Sequence, residues 1–173
     1  MVGQTHLLRE SAPLARLIRG DKGAAWSSVI LWGPPGTGKT TLARLISSAR
    51  KAHFDELSAI SSGVSQVRDV IEAAKNRRAL YDQSSVLFLD EIHRFSKSQQ
   101  DALLGAVESG TLTLVAATTE NPSFSVIKPL ISRSLVLELQ ALTAAEVRQV
   151  LDKAIASDQG LRGLAAQPQA LEW

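Results

Sequence analysis

Short, largely apolar runs alternate along this chain with longer stretches whose apolar residues recur every three or four positions. The runs are Val29–Trp32, Phe54–Ala59, Val86–Leu89, Leu112–Ala117 and Leu135–Leu139. Runs of that length, bounded by polar residues, predict buried strands. Thr41–Ile46 follows the first run and reads as a helix. Between the second and third runs, Val64, Val67, Val70, Ile71 and Ala74 fall on one helical face. After the third, Ser96-Lys97-Ser98-Gln99 has the form of a capping box. It opens a helix that carries Ala102, Leu103 and Val107 and stops at Gly110. This order predicts an α/β fold, a three-layer αβα core around a mostly parallel sheet, with ligand sites at the carboxyl ends of the strands. Near residue 141 the texture changes. Thr143-Ala144-Ala145-Glu146 is a second capping box, and Val147, Val150, Leu151, Ala154 and Ile155 follow at helical spacing. Residues 1–140 are therefore read as the α/β core, and 141–173 as the start of a helical lid and a tail. The stretch 160–173 has no clear period and reads as a loop or frayed end.

Composition narrows the possibilities modestly. A chain of 173 residues is long enough for one domain with a real core. A formal charge of +2 gives no broadly basic surface, so any nucleic-acid contact must be local. The absence of cysteine excludes disulfides and thiolate metal sites. His6, His53 and His93 lack zinc-ligand spacing. No apolar run approaches the ~20 residues that cross a bilayer. Met1-Val2-Gly3-Gln4-Thr5-His6 has no signal-peptide character, so the expectation is a cytoplasmic protein without a membrane partner.

The chemistry is concentrated after the first strand. Gly33-Pro34-Pro35-Gly36-Thr37-Gly38-Lys39-Thr40 fits G-x-x-x-x-G-K-[ST], the phosphate-binding P-loop, between a strand and a helix. Glycines let backbone N–H groups approach phosphate oxygens, and the helix start adds its positive dipole end. Lys39 is suited to the β- and γ-phosphates, and the Thr40 hydroxyl to Mg²⁺. Val86–Leu89 then ends in Asp90-Glu91, a Walker-B pattern expected on the strand next to the P-loop strand. Asp90 is suited to Mg²⁺ through its water shell. Glu91, expected on the other side of the pleat, is suited to polarise the attacking water. A P-loop alone implies binding; joined to an acidic pair at a strand end it implies hydrolysis.

Ala116-Ala117-Thr118-Thr119 ends the fourth strand with hydroxyls. Thr119 is favoured as the group that orients water against the γ-phosphate, with Asn121 as the rival. Arg133, just before the last strand, could reach the γ-phosphate of a neighbouring subunit or be an ordinary surface cation. His93 follows the acidic pair as Asp-Glu-Ile-His, a DExH-like pattern that also suits a plain helix-face residue.

Together these motifs resemble the AAA+ ATPases. Over about Val2 to Ile155 the chain resembles the replication-associated recombination protein A family (RarA, also called MgsA), which includes the Werner helicase-interacting protein. The specific stretches are Ile30–Thr41, Leu57–Val64, Phe88–Leu104 and Ala117–Phe124. The resemblance implies a sensor-1 role for Thr119 and an arginine-finger role in trans for Arg133. It also implies an adenine-pocket segment at Val2-Gly3-Gln4, with nucleotide contacts from Gly33, Pro34, Pro35, Gly36, Thr37, Gly38, Lys39, Thr40 and Thr41. Implied cofactors are ATP/ADP and Mg²⁺. The implied activity is a DNA-stimulated ATPase at stalled forks, in a tetrameric or ring-like homo-oligomer near single-stranded DNA-binding protein and the replication machinery, associated with the nucleoid. Against the family pattern, the segment ahead of Val2, most of the lid with its sensor-2 arginine, and the C-terminal oligomerisation region have no counterpart. The chain is thus expected to be an AAA+ core, a fragment or shortened form.

DNA, single-stranded or forked and not read by sequence, has candidate contacts at two helix starts, Ser62-Gly63-Val64 and Ser96-Lys97-Ser98. Lys75, Arg77 and Arg78 form a short basic cluster that equally suits a solvated helix end. Two other functions fit the same motifs. One is a clamp-loader-like, nucleotide-gated binding module with little hydrolysis; the other is a motor that moves Holliday junctions.

Overall fold

The computed structural model describes residues 2–9, 12–15 and 28–157. The expected frayed stretch, 160–173, lies outside the described residues. A short helix α1 (Thr5–Leu8) precedes β1 (Ser28–Trp32), α2 (Lys39–Ala49), β2 (His53–Ser58) and α3 (Val64–Tyr81). Next come β3 (Ser85–Asp90), a 3-10 turn (Ile92–Arg94), α4 (Lys97–Glu108) and β4 (Thr113–Thr118). The described chain ends with α5 (Pro122–Ser125), α6 (Lys128–Ser132), β5 (Ser134–Glu138) and α7 (Ala144–Ser157).

The five strands pair in the order β2-β3-β4-β1-β5, and every pairing is parallel. The α/β expectation therefore holds, with one correction. The Walker-B strand β3 is not the neighbour of the P-loop strand β1, because β4 lies between them. Strand adjacency is a non-local property that periodicity does not carry, whereas the strands themselves were legible.

Alternate side chains of the central strands feed two apolar layers. Ile30, Leu87, Leu89, Leu114 and Ala116 face one side, where Val67 and Ala74 of α3 and Leu103, Ala106 and Val107 of α4 cover them. Val29, Leu31, Val86, Phe88, Val115 and Ala117 face the other, against Leu42, Ala43 and Ile46 of α2. Strands buried on both faces become continuous apolar runs, which is why β1, β3 and β4 were recognisable. Burying one such Leu, Ile or Phe side chain stabilises the fold by about 1.5–3 kcal/mol. No helix among the described residues is long and apolar enough to cross a membrane.

The two capping boxes form as expected. Ser96 accepts from the Gln99 N–H at 3.4 Å while Gln99 Oε1 accepts from the Ser96 N–H at 2.9 Å. At α7, Thr143 N–H and Oγ1–H both donate to Glu146 Oε2, at 2.8 and 2.9 Å. Helix α4 ends at Glu108, with Ser109 as its cap and Gly110 next.

Candidate nucleotide-binding and hydrolysis site

Parallel strands deliver the P-loop, Asp90-Glu91 and Thr119 to the same, carboxyl edge of the sheet. The loop begins at Gly33, whose N–H donates to the Thr118 carbonyl at 3.2 Å. Gly33 has φ 143°, and a Cβ there would collide with the Leu139 carbonyl oxygen. Only glycine fits so close a backbone approach. Thr37 is buried and its hydroxyl donates to the Pro34 carbonyl at 3.0 Å, fixing the turn. Helix α2 then starts at Lys39, so its unpaired N–H groups face the loop.

The Lys39 ammonium donates to the Gly33 and Pro34 carbonyls, each at 2.8 Å. Burial holds its pKa below the usual lysine range, opposed by the nearby Glu91 and Asp90 carboxylates. A cavity of about 340 Å³ is lined by Pro35, Gly36, Thr37, Gly38, Lys39, Thr40 and Thr41, together with Asp90, Glu91 and Thr119. Backbone N–H groups, one ammonium, hydroxyls and two carboxylates thus converge on one space. Polyphosphate and a divalent cation are the ligands that such a set suits.

Glu91 departs from the expected position across the pleat. It has already left the strand, with φ 55° and ψ 46°, in the left-handed region that non-glycine residues rarely adopt. Its N–H donates back to Asp90 Oδ1 at 3.1 Å. Strain of that kind costs of order 1–3 kcal/mol and collects at functional sites. The following 3-10 turn is closed by Arg94 N–H on the Glu91 carbonyl at 2.8 Å.

A second cavity, of about 290 Å³, adjoins the loop. Gly36, Thr37, Gly38 and Thr41 line it together with Val2, Leu142, Val150 and Lys153. Val2 is brought there by its neighbours. The Gln4 side chain clamps the Gln140 backbone, donating to its carbonyl at 2.7 Å and accepting from its N–H at 3.1 Å. Gly3, at φ 76°, passes so near the Leu142 side chain that a Cβ would collide with it. Of Val2-Gly3-Gln4, then, Val2 lines the cavity while Gly3 and Gln4 anchor it. Leu142, Val150 and Lys153 were not singled out as site residues from the sequence. Val150 was read only as part of a helix face, and the contact depends on how α7 folds back.

Asn121 is spent elsewhere: Oδ1 accepts from the Ser123 N–H at 3.0 Å as the cap of α5. Thr119 alone of the two rivals lines the phosphate-sized cavity. Arg133 lies apart from it. Ser134 pairs with Ser28 and Glu138 with Trp32, so Arg133 and Gly33 are at opposite ends of five-residue strands, about 15–20 Å apart. Its guanidinium is half-exposed and pairs with Glu108 at 2.6 Å.

The candidate DNA contacts fare unevenly. Arg77 is held by Asp55 at 2.8 and 3.2 Å and by Ser85 Oγ at 3.0 Å. Lys75 pairs with Glu72, and Arg78 donates to the Gly110 carbonyl. The cluster ties α3 to the sheet and to the α4–β4 turn. At the two helix starts, Gln66 and Gln99 each reach back to the first backbone N–H, and at the second start the Gln99 N–H is itself taken by Ser96 Oγ.

A P-loop on the strand β1, an acidic pair at the end of β3 and a threonine between them define a class of protein. The chain belongs to the AAA family, the ATPases associated with various cellular activities, whose model matches residues 29–142. Within that family its relatives include proteins named replication-associated recombination protein A. It is 46% identical over 170 residues to replication-associated recombination protein A of Haemophilus influenzae, covering 98% of this chain and 37% of that protein. It is 55% identical over 173 residues to an uncharacterised AAA domain-containing protein of Mycobacterium tuberculosis, covering 99% of this chain and 37% of that one. Among solved structures, the Holliday junction branch migration motor RuvB of Thermotoga maritima matches with a TM-score of 0.68 and 31% identity, over 90% of this chain and 51% of that one. The chain thus spans a little over a third of the length of these curated relatives.

Proposed function

We propose that this chain binds and hydrolyses ATP as the motor core of a protein acting on DNA in replication, recombination or repair. The observation that carries this is the single cavity shared by the P-loop, Asp90, Glu91 and Thr119. The adjoining cavity between Val2 and α7 has the size and apolar walls for a purine. Lys39 and the loop N–H groups hold the phosphates. The Thr40 hydroxyl and the Asp90 carboxylate, hard oxygen donors on the same cavity, would hold Mg²⁺. No cluster of three or more His, Asp or Glu that could cage a metal exists among the described residues. Held by Thr40 and Asp90, such an ion would supply positive charge against the phosphates.

Glu91 then aligns and polarises the attacking water, and the Thr119 hydroxyl holds that water or the γ-phosphate. Arg133, at the far end of its own sheet, serves the site of a neighbouring subunit. Its half-exposed pair with Glu108 is worth at most about 1 kcal/mol and is readily exchanged for a phosphate. The partner in this reading is DNA, single-stranded or forked, held by backbone N–H groups at helix starts such as Ser62-Gly63-Val64; the relatives' names support DNA. A ring-like homo-oligomer working beside single-stranded DNA-binding protein completes this reading.

The likeness to RuvB favours a second reading, a branch-migration motor. The higher identity to the recombination proteins, over nearly the whole chain, weighs for the first. Movement of a synthetic four-way junction would select the second. For the ATPase itself the test is Glu91→Gln. The variant is expected to bind ATP with wild-type affinity and to lose turnover by about 10²–10⁴-fold. Normal turnover in this variant would remove Glu91 from the role.

A further inference from the structure

Between Glu91 and the tip of β4 lies a buried imidazole that the roles above do not use. The His93 side chain is only 7% exposed. Its Nδ1 lies 3.0 Å from Thr118 Oγ1 and 3.1 Å from Glu91 Oε2, and its Nε2 lies 3.8 Å from Glu120 Oε1. Thr118 is fully buried, and its hydroxyl oxygen also accepts the Glu120 N–H at 3.0 Å. Glu91 Oε2 is buried and has no hydrogen-bond partner, while His93 Nδ1 lies within reach of both it and Thr118 Oγ1. A carboxylate oxygen only accepts, so a useful approach of Nδ1 requires the proton on Nδ1. With the proton there, one N–H faces two buried oxygens, one on the acidic turn and one on β4.

The connection runs further. The Thr118 carbonyl accepts the Gly33 N–H, so the residue that bonds His93 also pins the first residue of the P-loop. Thr119, which lines the cavity, is the next residue along. The 3-10 turn holds Glu91 and His93 two residues apart on one tight loop.

We propose that His93 is a positioning residue for Glu91: it shares its Nδ1–H between Glu91 and Thr118, so that the aim of the carboxylate follows the position of the β4 tip and the P-loop. Resting as it does on hydrolysis at this site, the role concerns the rate of the chemical step and not nucleotide affinity. A carboxylate left without its donor swings off the water, and misplacement of that size costs on the order of 10²-fold.

Three variants and one spectrum test this. His93→Leu is expected to lower kcat by about 10²-fold while the Kd for ATP stays within about threefold. His93→Asn, whose side-chain amide nitrogen takes the place of Nδ1, is expected to recover at least about tenfold of that loss. Wild-type kcat in His93→Leu overturns the proposal. So does an equal loss of ATP affinity and kcat in both variants, which is the mark of a merely structural histidine. The spectrum needs no turnover. In ¹⁵N-histidine NMR the His93 ring is expected to carry its proton on Nδ1, and Glu91→Ala is expected to shift that nitrogen. Ring signals that ignore Glu91→Ala overturn the contact itself. A wild-type chain that binds ATP without hydrolysing it would instead count against the ATPase reading, and the spectrum would then decide the His93–Glu91 contact alone.

Discussion

Gly33 shows how much of the site is decided by single atoms. Its backbone is pinned between Thr118 on one side and the Leu139 carbonyl on the other. Gly33→Ala is expected to destabilise the fold by about 1–3 kcal/mol and to weaken ATP binding, both visible in thermal melts with and without nucleotide. Gln100 does comparable work away from the site. Its buried amide donates to the Phe95 and Ser125 carbonyls at 3.1 and 2.9 Å and accepts the Ile127 N–H at 2.9 Å. Gln100→Leu leaves three backbone groups unpaired and is expected to cost about 2–4 kcal/mol by urea denaturation; a loss under 1 kcal/mol would show that water replaces the amide. Lys39 and Thr40 were legible from sequence because the P-loop is local, its residues consecutive and its spacing set by the phosphate. The left-handed turn at Glu91 was not legible, since nothing in Leu-Asp-Glu-Ile announces φ 55°. Nor was the nearness of His93 to Thr118, 25 residues on.

At the scale of elements, strands and helices were readable wherever a face was continuously buried or a cap was explicit. The cap of α7 carries a pH signature. Thr143 N–H and Oγ1–H hold the Glu146 carboxyl below the ordinary glutamate range, because both donate to the ionised form. The sign follows from that direction. The cap's contribution is fully present above the ordinary glutamate pKa and disappears as pH falls through the lower, folded value. A ¹³C titration of Glu146 is expected to give a midpoint below that of free glutamate, and Thr143→Ala to return it toward the free value. An identical midpoint in the two proteins would mean that the Thr143 hydroxyl does not hold the carboxyl in solution. Helix α7 also supplies Val150 and Lys153 to the cavity beside the P-loop, so under the proposed function this cap bears on nucleotide binding. That arrangement was hidden in the sequence: residues 2 and 150 line one cavity, beside which Gln4 bridges to Gln140.

For the molecule as a whole, the order β2-β3-β4-β1-β5 is what makes the site. It sets the tip of β4 between the P-loop and the acidic pair, and it sends Arg133 to the opposite edge. Within one copy the site and Arg133 are thus far apart, and under the proposed function that cation serves another copy's site. Mixing follows directly from this. Lys39→Ala, unable to hold phosphate, and Arg133→Ala, unable to complete a neighbour, are each expected to be inactive, while an equimolar mixture regains part of the activity. Inactive mixtures at every ratio would place Arg133 outside the reaction. The central claim, hydrolysis of ATP at sites shared between copies and coupled to DNA, is tested most directly by one measurement. That measurement is the steady-state ATPase rate per subunit as protein concentration is raised, with and without forked or single-stranded DNA. The account predicts a rate that climbs with concentration, climbs further with DNA, and is lost in Arg133→Ala. A near-zero rate that stays flat across concentration and DNA, beside measurable ATP binding, would contradict it and leave a nucleotide-gated binding module.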